Sequence, residues 1–332
     1  MNKITQQFIT HYRTFPFPSS TTFLLSVSGG ADSMVMLHLF LSTQALLKHS
    51  FSVLHMNHHL RGLDSDQDEQ VVSSFCSHHS IPYDIVHFRP PDWESVTGTG
   101  LEEKARKLRK RALEKTRQEL SLDVCVIGHS QNDLSETFLF NFIRGSSPEK
   151  LSSILPMWDP TNRIFRPLLC FSRQRIRDYA SQYHIPFRDD ATNQDTQFSR
   201  NRLRNNILPE IAKINPAFAS SILRFQDILS TENDWIEKTL QDTMKSWDIT
   251  SHRIRVPQAL FCSLHKALQR RSILQIHSLL QGHRVDFSFA CVETIRMAIL
   301  SHPSKNGILY TDPKMNVERE DNVINFRINE VF

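Results

Sequence analysis

Thiol chemistry has little to work with in this chain. Its 332 residues include five cysteines, and no two of them form a Cys-x-x-Cys pair. That argues against a disulfide framework and against a thiolate-bound metal. No apolar run is long enough to cross a bilayer, so no membrane partner is expected. The opening residues, Met1-Asn2-Lys3-Ile4-Thr5-Gln6-Gln7, are too polar for a secretory signal, and a cytoplasmic protein is expected. Internal repeats and low-complexity tracts are absent. A large charge imbalance is absent too: the net +4 only mildly favours an anionic partner, so where the charge sits matters more than its sum.

What remains is an ordinary globular composition, 39% hydrophobic and 22% charged. The length is too great for one typical core, which predicts two domains. The most informative stretch is Ser28-Gly29-Gly30-Ala31-Asp32-Ser33. The β-prone run Thr22 to Val27 precedes it, and Met34 to Leu41, dense in apolar residues, follows it. That order reads as buried strand, tight loop and helix. Two adjacent glycines let the backbone adopt positive φ and come close to a ligand. The loop amides and the helix N-terminus then suit a phosphate. Asp32 would repel phosphate unless a Mg²⁺ ion lay between them. The loop is neither a Walker A motif nor a dinucleotide fingerprint.

Further strands are expected at Phe51–Asn57, Tyr83–Phe88 and Asp123–Ile127, with helices between them, giving a doubly wound α/β domain with a mostly parallel sheet. His55, His58 and His59 lie at the end of the second strand with no carboxylate at ligand spacing, so no metal is expected there. Arg89 to Gly100 carries Pro90-Pro91 and reads as a loop. Leu101 to Leu120 reads as a basic helix. Its Arg106, Arg109, Lys110 and Arg111 are either a solvated face or contacts to phosphate and RNA. Gly128 to Thr137 continues the fourth strand into a helix. There Asp133 and Glu136, three apart, share a face near the N-terminus, with His129 at the strand end. Arg200, Arg202 and Arg204 form a dense cluster that suits bidentate phosphate contacts, with Pro209 expected to stop that helix. From Pro216 the pattern turns to long helices, ending in a small β element that turns at Asp321-Asn322. The expected division is a catalytic domain over 1–215 and a smaller, mainly helical domain over 216–332.

Taken together, Ser28 to Ser33, His55-Met56-Asn57-His58-His59-Leu60-Arg61, Gly128 to Thr137 and Arg200-Asn201-Arg202-Leu203-Arg204 resemble the tRNA(Ile)-lysidine synthases, a family of PP-loop ATP pyrophosphatases. The likeness covers about the first two thirds of the chain. It departs from the family pattern at His59, Ser130 and Asn132, where Gly, His and Asp are usual, and the last domain of the family's longer members is expected to be lacking after Phe332.

The resemblance implies ATP bound by Ser28, Gly29, Gly30, Ala31, Asp32 and Ser33, with Mg²⁺ held partly by Asp32. It implies joining of L-lysine to the wobble cytidine of a CAU-anticodon tRNA(Ile), through an adenylated cytidine. In that reading Asp133 and Glu136 receive the lysine ammonium, and Arg106, His129 and Arg200 serve the α-phosphate and the base. Arg109, Lys110, Arg111, Arg202 and Arg204 would contact the tRNA, the C-terminal domain would share that task, and no obligate protein partner is inferred. The alternatives are a PP-loop thiolase, an adenylating ligase for a small molecule, and a non-catalytic tRNA-binding protein.

Overall fold

The structure is a computed structural model describing residues 2–329 except 99, 153–155, 190–201, 283–286, 302–305 and 314. The described residues form two compact units, Met1–Asp227 and Ile228–Phe332.

The first unit is built on a six-stranded sheet. Its strands are β1 (Thr22–Ser26), β2 (Ser50–Asn57), β3 (Tyr83–His87), β4 (Val124–Ile127), β5 (Trp158–Asp159) and β6 (Ile164–Phe165), in the order β3-β2-β1-β4-β6-β5. All neighbours pair parallel except β5, which runs antiparallel at the edge. β1 is central, and Phe23, Leu24 and Leu25 are fully buried. Burial on both faces is what an uninterrupted apolar strand requires. On one face lie helices α1 (Lys3–Arg13), α2 (Ala31–Leu47) and α3 (Leu63–His78). α2 is apolar all round, so it sinks into the core, with Met34, Val35, Met36, Leu37, Leu39 and Phe40 all buried. Phe8 of α1 meets Phe40 edge-on at 5.5 Å. Each such ring contributes on the order of 2 kcal/mol by burial. The opposite face is covered by α5 (Leu101–Glu119), through Leu108, Ala112 and Leu113.

Between β3 and α5 the expected loop contains a short helix, α4 (Pro90–Glu94). Pro91 and Pro90 are tolerated in a first turn, where a missing N–H leaves nothing unpaired. The Arg89 N–H also bonds Asp92 Oδ2 at 2.7 Å. After β4 come α6 (Gln131–Ile143), α7 (Pro148–Ser152) and α8 (Arg173–Gln182). The chain runs from β1 outward to β2 and β3, then crosses to β4 on the other side of β1. The strand order therefore reverses between β1 and β4, and the loops after these two strands open there.

Near the arginine cluster the described chain runs as a π-helix, Leu203–Ile207, into a helix over Leu208–Ile214. Pro209 does not stop this helix but sits in its first turn. The long helix Phe218–Met244 begins close to the expected cut at 215, yet the division falls inside it. Its first turns belong to the first unit, where Phe225 packs edge-on to Phe138 and Gln226 bonds the Leu151 carbonyl.

The second unit pairs helices with an antiparallel sheet. Its strands are Asp248–Ile249, Arg253–Pro257, Val323–Ile328, Met315–Glu320 and Gly307–Thr311, in that spatial order. Asp321 and Asn322 both take positive φ, the geometry of a two-residue hairpin turn. The helices Lys266–Gln281 and Phe289–Ser301 bury Ile273, Ile276, Val292 and Ile295 in a core with Val256, Met315 and Phe326 of the strands.

Candidate active site

The site is assembled from the two loops at the β1/β4 reversal. Leaving β1, Val27 N–H bonds the Leu54 carbonyl, and the chain turns through Gly29 at φ +88°. Only Gly29 needs the left-handed region; Gly30 has φ −77° and serves as the N-cap of α2. Ser33 braces the turn. Its Oγ donates to the Gly30 carbonyl at 2.9 Å and accepts the Ser28 N–H at 3.1 Å. Across from it, Gly128 leaves β4 so close to α2 that a Cβ there would lie 3.2 Å from Ser33 Cα. Glycine at 128 is thus what lets the two loops meet.

That approach brings Asp32, Asp133 and Glu136 together. Asp133 closes a capping box: its Oδ2 accepts both the N–H and the Oγ–H of Ser130 at 2.8 Å. The departure to serine at 130 thus supplies the helix cap. Asn132 also has a structural partner, since its Oδ1 accepts the Arg173 N–H at 2.9 Å. Glu136 is buried, and Arg204 grips it bidentately at 2.6 and 2.7 Å. Arg173 reaches all three acids, with 3.0 Å to Asp133, 3.7 Å to Glu136 and 3.9 Å to Asp32. Three carboxylates therefore share two guanidiniums.

The imbalance is felt at Asp32. Burial, and next the charge of Asp133, push its pKa up from 3.8 to about 6, against the opposing pull of Arg173. Its place in the first turn of α2 favours a carboxylate by only about 0.3–1 kcal/mol, so desolvation wins.

Beside these acids Arg106, Arg109 and Arg166 gather around neutral His129. His129 follows β4 with a buried Nδ1 that has no partner among the described residues. Desolvation holds its pKa down at about 4; Asp133 opposes the shift, while Arg166, Arg109 and Arg106 add to it. His58 stacks on Phe88 at 4.8 Å and is likewise pushed down to about 4, by burial and then by Arg109. Arg166 is buried, gives Nη1 to the Pro156 carbonyl at 2.8 Å, and is lowered to about 10 by desolvation. The mouth thus has an acidic half suited to an ammonium and a basic half suited to a phosphate.

The structure brings Asp32, His129, Asp133 and Glu136 into one place, with Arg106 and Arg109 near His129 on the exposed side of α5. Lys110 shares that face but leans to Asn162 Oδ1 at 3.1 Å, and Arg111 lies a step round, 3.4 Å from Ser95 Oγ. Arg202 is exposed, whereas Arg204, expected to face RNA, turns inward onto Glu136. Arg200 lies outside the described residues. The sequence reading gave no site role to Arg173, Arg166 or His58, although His58 lies in a stretch that carries the family likeness. Arg173 did carry a signal: a cation in the first turn of a helix opposes the dipole, so such a residue serves something outside that helix. A groove of about 770 Å³ lies elsewhere, lined by His38, Phe75, His79, Tyr183 and Arg188, and contains none of the three acids.

Fold and loop together define a doubly wound α/β domain with a Ser-Gly-Gly-x-Asp-Ser loop at its topological switch point. Residues 1–211 match the PP-loop domain family, and the chain belongs to that family. It is 33% identical over 270 residues to the tRNA(Ile)-lysidine synthase of Treponema denticola, covering 79% of this chain and 57% of that protein. To the tRNA(Ile)-lysidine synthase of Bacteroides thetaiotaomicron it is 34% identical over 285 residues, covering 86% and 63%. The chain thus spans somewhat more than half the length of these curated relatives. The U34-tRNA thiolase NcsA of Methanococcus maripaludis has a similar fold, with a TM-score of 0.58 at 18% identity over 69% of this chain and 79% of that one.

Proposed function

We propose that this protein is an ATP-dependent ligase that joins lysine to the wobble cytidine of a CAU-anticodon tRNA(Ile). The observation that carries the reading is the pairing of a PP-loop with three carboxylates at one switch point. The relatives named as tRNA(Ile)-lysidine synthases support the choice of substrates.

In this reading the loop amides and the N-terminus of α2 take the departing pyrophosphate. The cytidine O2 attacks the α-phosphorus and the bond to the pyrophosphate breaks. The lysine ε-ammonium gives up one proton, the free amine adds to C2, AMP leaves with its oxygen, and the new C–N nitrogen gives up a second proton. Asp133 and Glu136 would take that ammonium and its first proton while sharing oxygens that Arg173 and Arg204 hold in the ligand-free chain. The basic half, with Arg106, Arg109, His129 and Arg166, suits the α-phosphate and the extruded base.

Mg²⁺ fits the donors present. Asp32 is a hard oxygen ligand whose charge is poorly compensated, and a cation beside it would relieve the burden that raises its pKa. Among the described residues no cluster of three His, Cys, Asp or Glu is arranged to hold a metal alone, so Asp32 would share the ion with phosphate oxygens. When bound, the ion would neutralise charge on the triphosphate.

Thiolation is disfavoured by the cysteines. Desolvation drives the Cys125 and Cys170 thiols up to about 12 and Cys76 up to about 11, so none of these three is a ready thiolate. The test is AMP release from α-labelled ATP. Release should require both lysine and a CAU-anticodon tRNA; release without tRNA would instead indicate a small-molecule ligase.

A further inference from the structure

The acidic start of α3 contains one residue that its solvated neighbours do not explain. Asp68 is buried, though a carboxylate facing a core without partners is strongly disfavoured. Both of its oxygens are engaged. Oδ2 accepts Arg61 Nη2 at 2.6 Å, and Oδ1 accepts Arg188 Nε at 3.0 Å. The two arginines come from different segments, one after β2 and the other after α8. Arg188 is held further by Asp64 Oδ1 at 2.6 Å.

This ion triplet lies against the back of the glycine loop. A Cβ on Gly29 would sit 3.1 Å from the Asp68 carbonyl oxygen and 3.2 Å from Asp68 Cβ. The main-chain N–H of Arg188 donates to the Gly29 carbonyl at 3.0 Å. A trans peptide directs its C=O and N–H to opposite sides. Fixing the Gly29 carbonyl on Arg188 therefore aims the Gly30 N–H away from Arg188. One face of the loop is thus set by α3 and by the chain that Asp68 ties down.

We propose that Asp68, bridging Arg61 and Arg188, is a positioning residue that holds the loop amides in the arrangement that receives the triphosphate. It touches no reacting atom and acts through Gly29 and Arg188. The inference rests on the ATP reading above. Preorganised donors bind and stabilise charge because they need no rearrangement when the charge arrives. Releasing Arg188 lets the Gly29–Gly30 peptide rotate, and the cost falls on nucleotide binding and not on lysine.

The test uses the full chain and a non-hydrolysable α,β-methylene ATP analogue with Mg²⁺, titrated by calorimetry beside lysine KM and thermal melts. Asp68→Asn is expected to weaken the analogue about tenfold and to leave lysine KM within about twofold. Arg188→Lys keeps the main-chain bond and a cation beside Asp68, so it is expected to lose less, about threefold, and to make a second change at Asp68 cost less than it does alone. Unchanged analogue affinity in Asp68→Asn, with only a lower melting temperature, would make the triplet a structural ion pair and overturn the proposal. If Asp68→Asn does not fold, unchanged affinity in Arg188→Lys overturns it equally. A wild-type protein that fails to bind the analogue would instead sink the ATP reading itself, with this inference following it.

Discussion

Replacing Asp32 by Asn should make the ligand-free protein more stable and inactive. The carboxyl titrates at about 6 in the folded chain against 3.8 in the reference state. A group with a raised folded pKa binds its proton more tightly when folded. Its stabilising share is complete below 3.8 and is lost as pH climbs through about 6. The difference amounts to about 3 kcal/mol at pH 7. Asp32 is only 19% exposed along its side chain, so little of this is screened away. Asparagine has nearly the shape of the neutral acid, so it should recover about 2–3 kcal/mol. For a unit of this size that raises the melting temperature by about 4–10 °C. The assay is a series of melts from pH 4 to pH 8 with chelator and without nucleotide. The variant's advantage should be greatest above pH 6.5 and should vanish toward pH 4. A variant less stable than wild type at pH 7, or an advantage independent of pH, would show that Asp32 is not a strained carboxylate.

Other substitutions test the neighbouring groups. Glu136→Gln is expected to raise lysine KM at least tenfold while ATP KM stays within about twofold, because a charge-assisted partner for the ammonium is lost; steady-state kinetics with an unchanged lysine KM would remove Glu136 from that role. Arg204→Ala leaves buried Glu136 without its bidentate partner, with only Arg173 among the described residues still near, and chemical unfolding should show a loss of about 3 kcal/mol. If Arg204 also reaches tRNA, the salt slope of filter binding should flatten by about one contact in the same variant, and parallel lines would confine it to the acidic cluster. Lys110→Ala on the exposed face of α5 should lower tRNA affinity and the salt slope by about one contact with no change in melting. Equal slopes for that variant and wild type would leave the face merely solvated.

The parts of this molecule that were legible in its sequence are those set by local spacing. The β1 strand, the Gly-Gly loop and α2 follow one another without a break, so pattern alone placed Asp32 at a helix start. Asp133 and Glu136 were readable as a pair for the same reason, since three residues along a helix restore the same face. Contacts between distant segments were not readable. Arg173 and Arg204 approach the acids from beyond α7, and nothing in their local pattern says that they turn inward. The run after residue 200 looked like a phosphate-binding row because arginine has the same appearance whether it meets RNA or a buried glutamate. Short strands also escaped: Trp158–Asp159 and Ile164–Phe165 hold two residues each, too few for an alternating pattern. Asp68 stands among other acids at the start of α3, and only its two arginine partners mark it out.

The claim that lysine becomes attached to a base has a direct chemical readout. A CAU-anticodon tRNA(Ile) transcript is incubated with the protein, ATP, Mg²⁺ and lysine, digested to nucleosides, and analysed by mass spectrometry. The account predicts loss of the wobble cytidine and appearance of a nucleoside heavier by one lysine less one water, absent when Asp32→Asn replaces the wild type. An unaltered wobble cytidine, under conditions where the protein binds ATP and this tRNA, would contradict it.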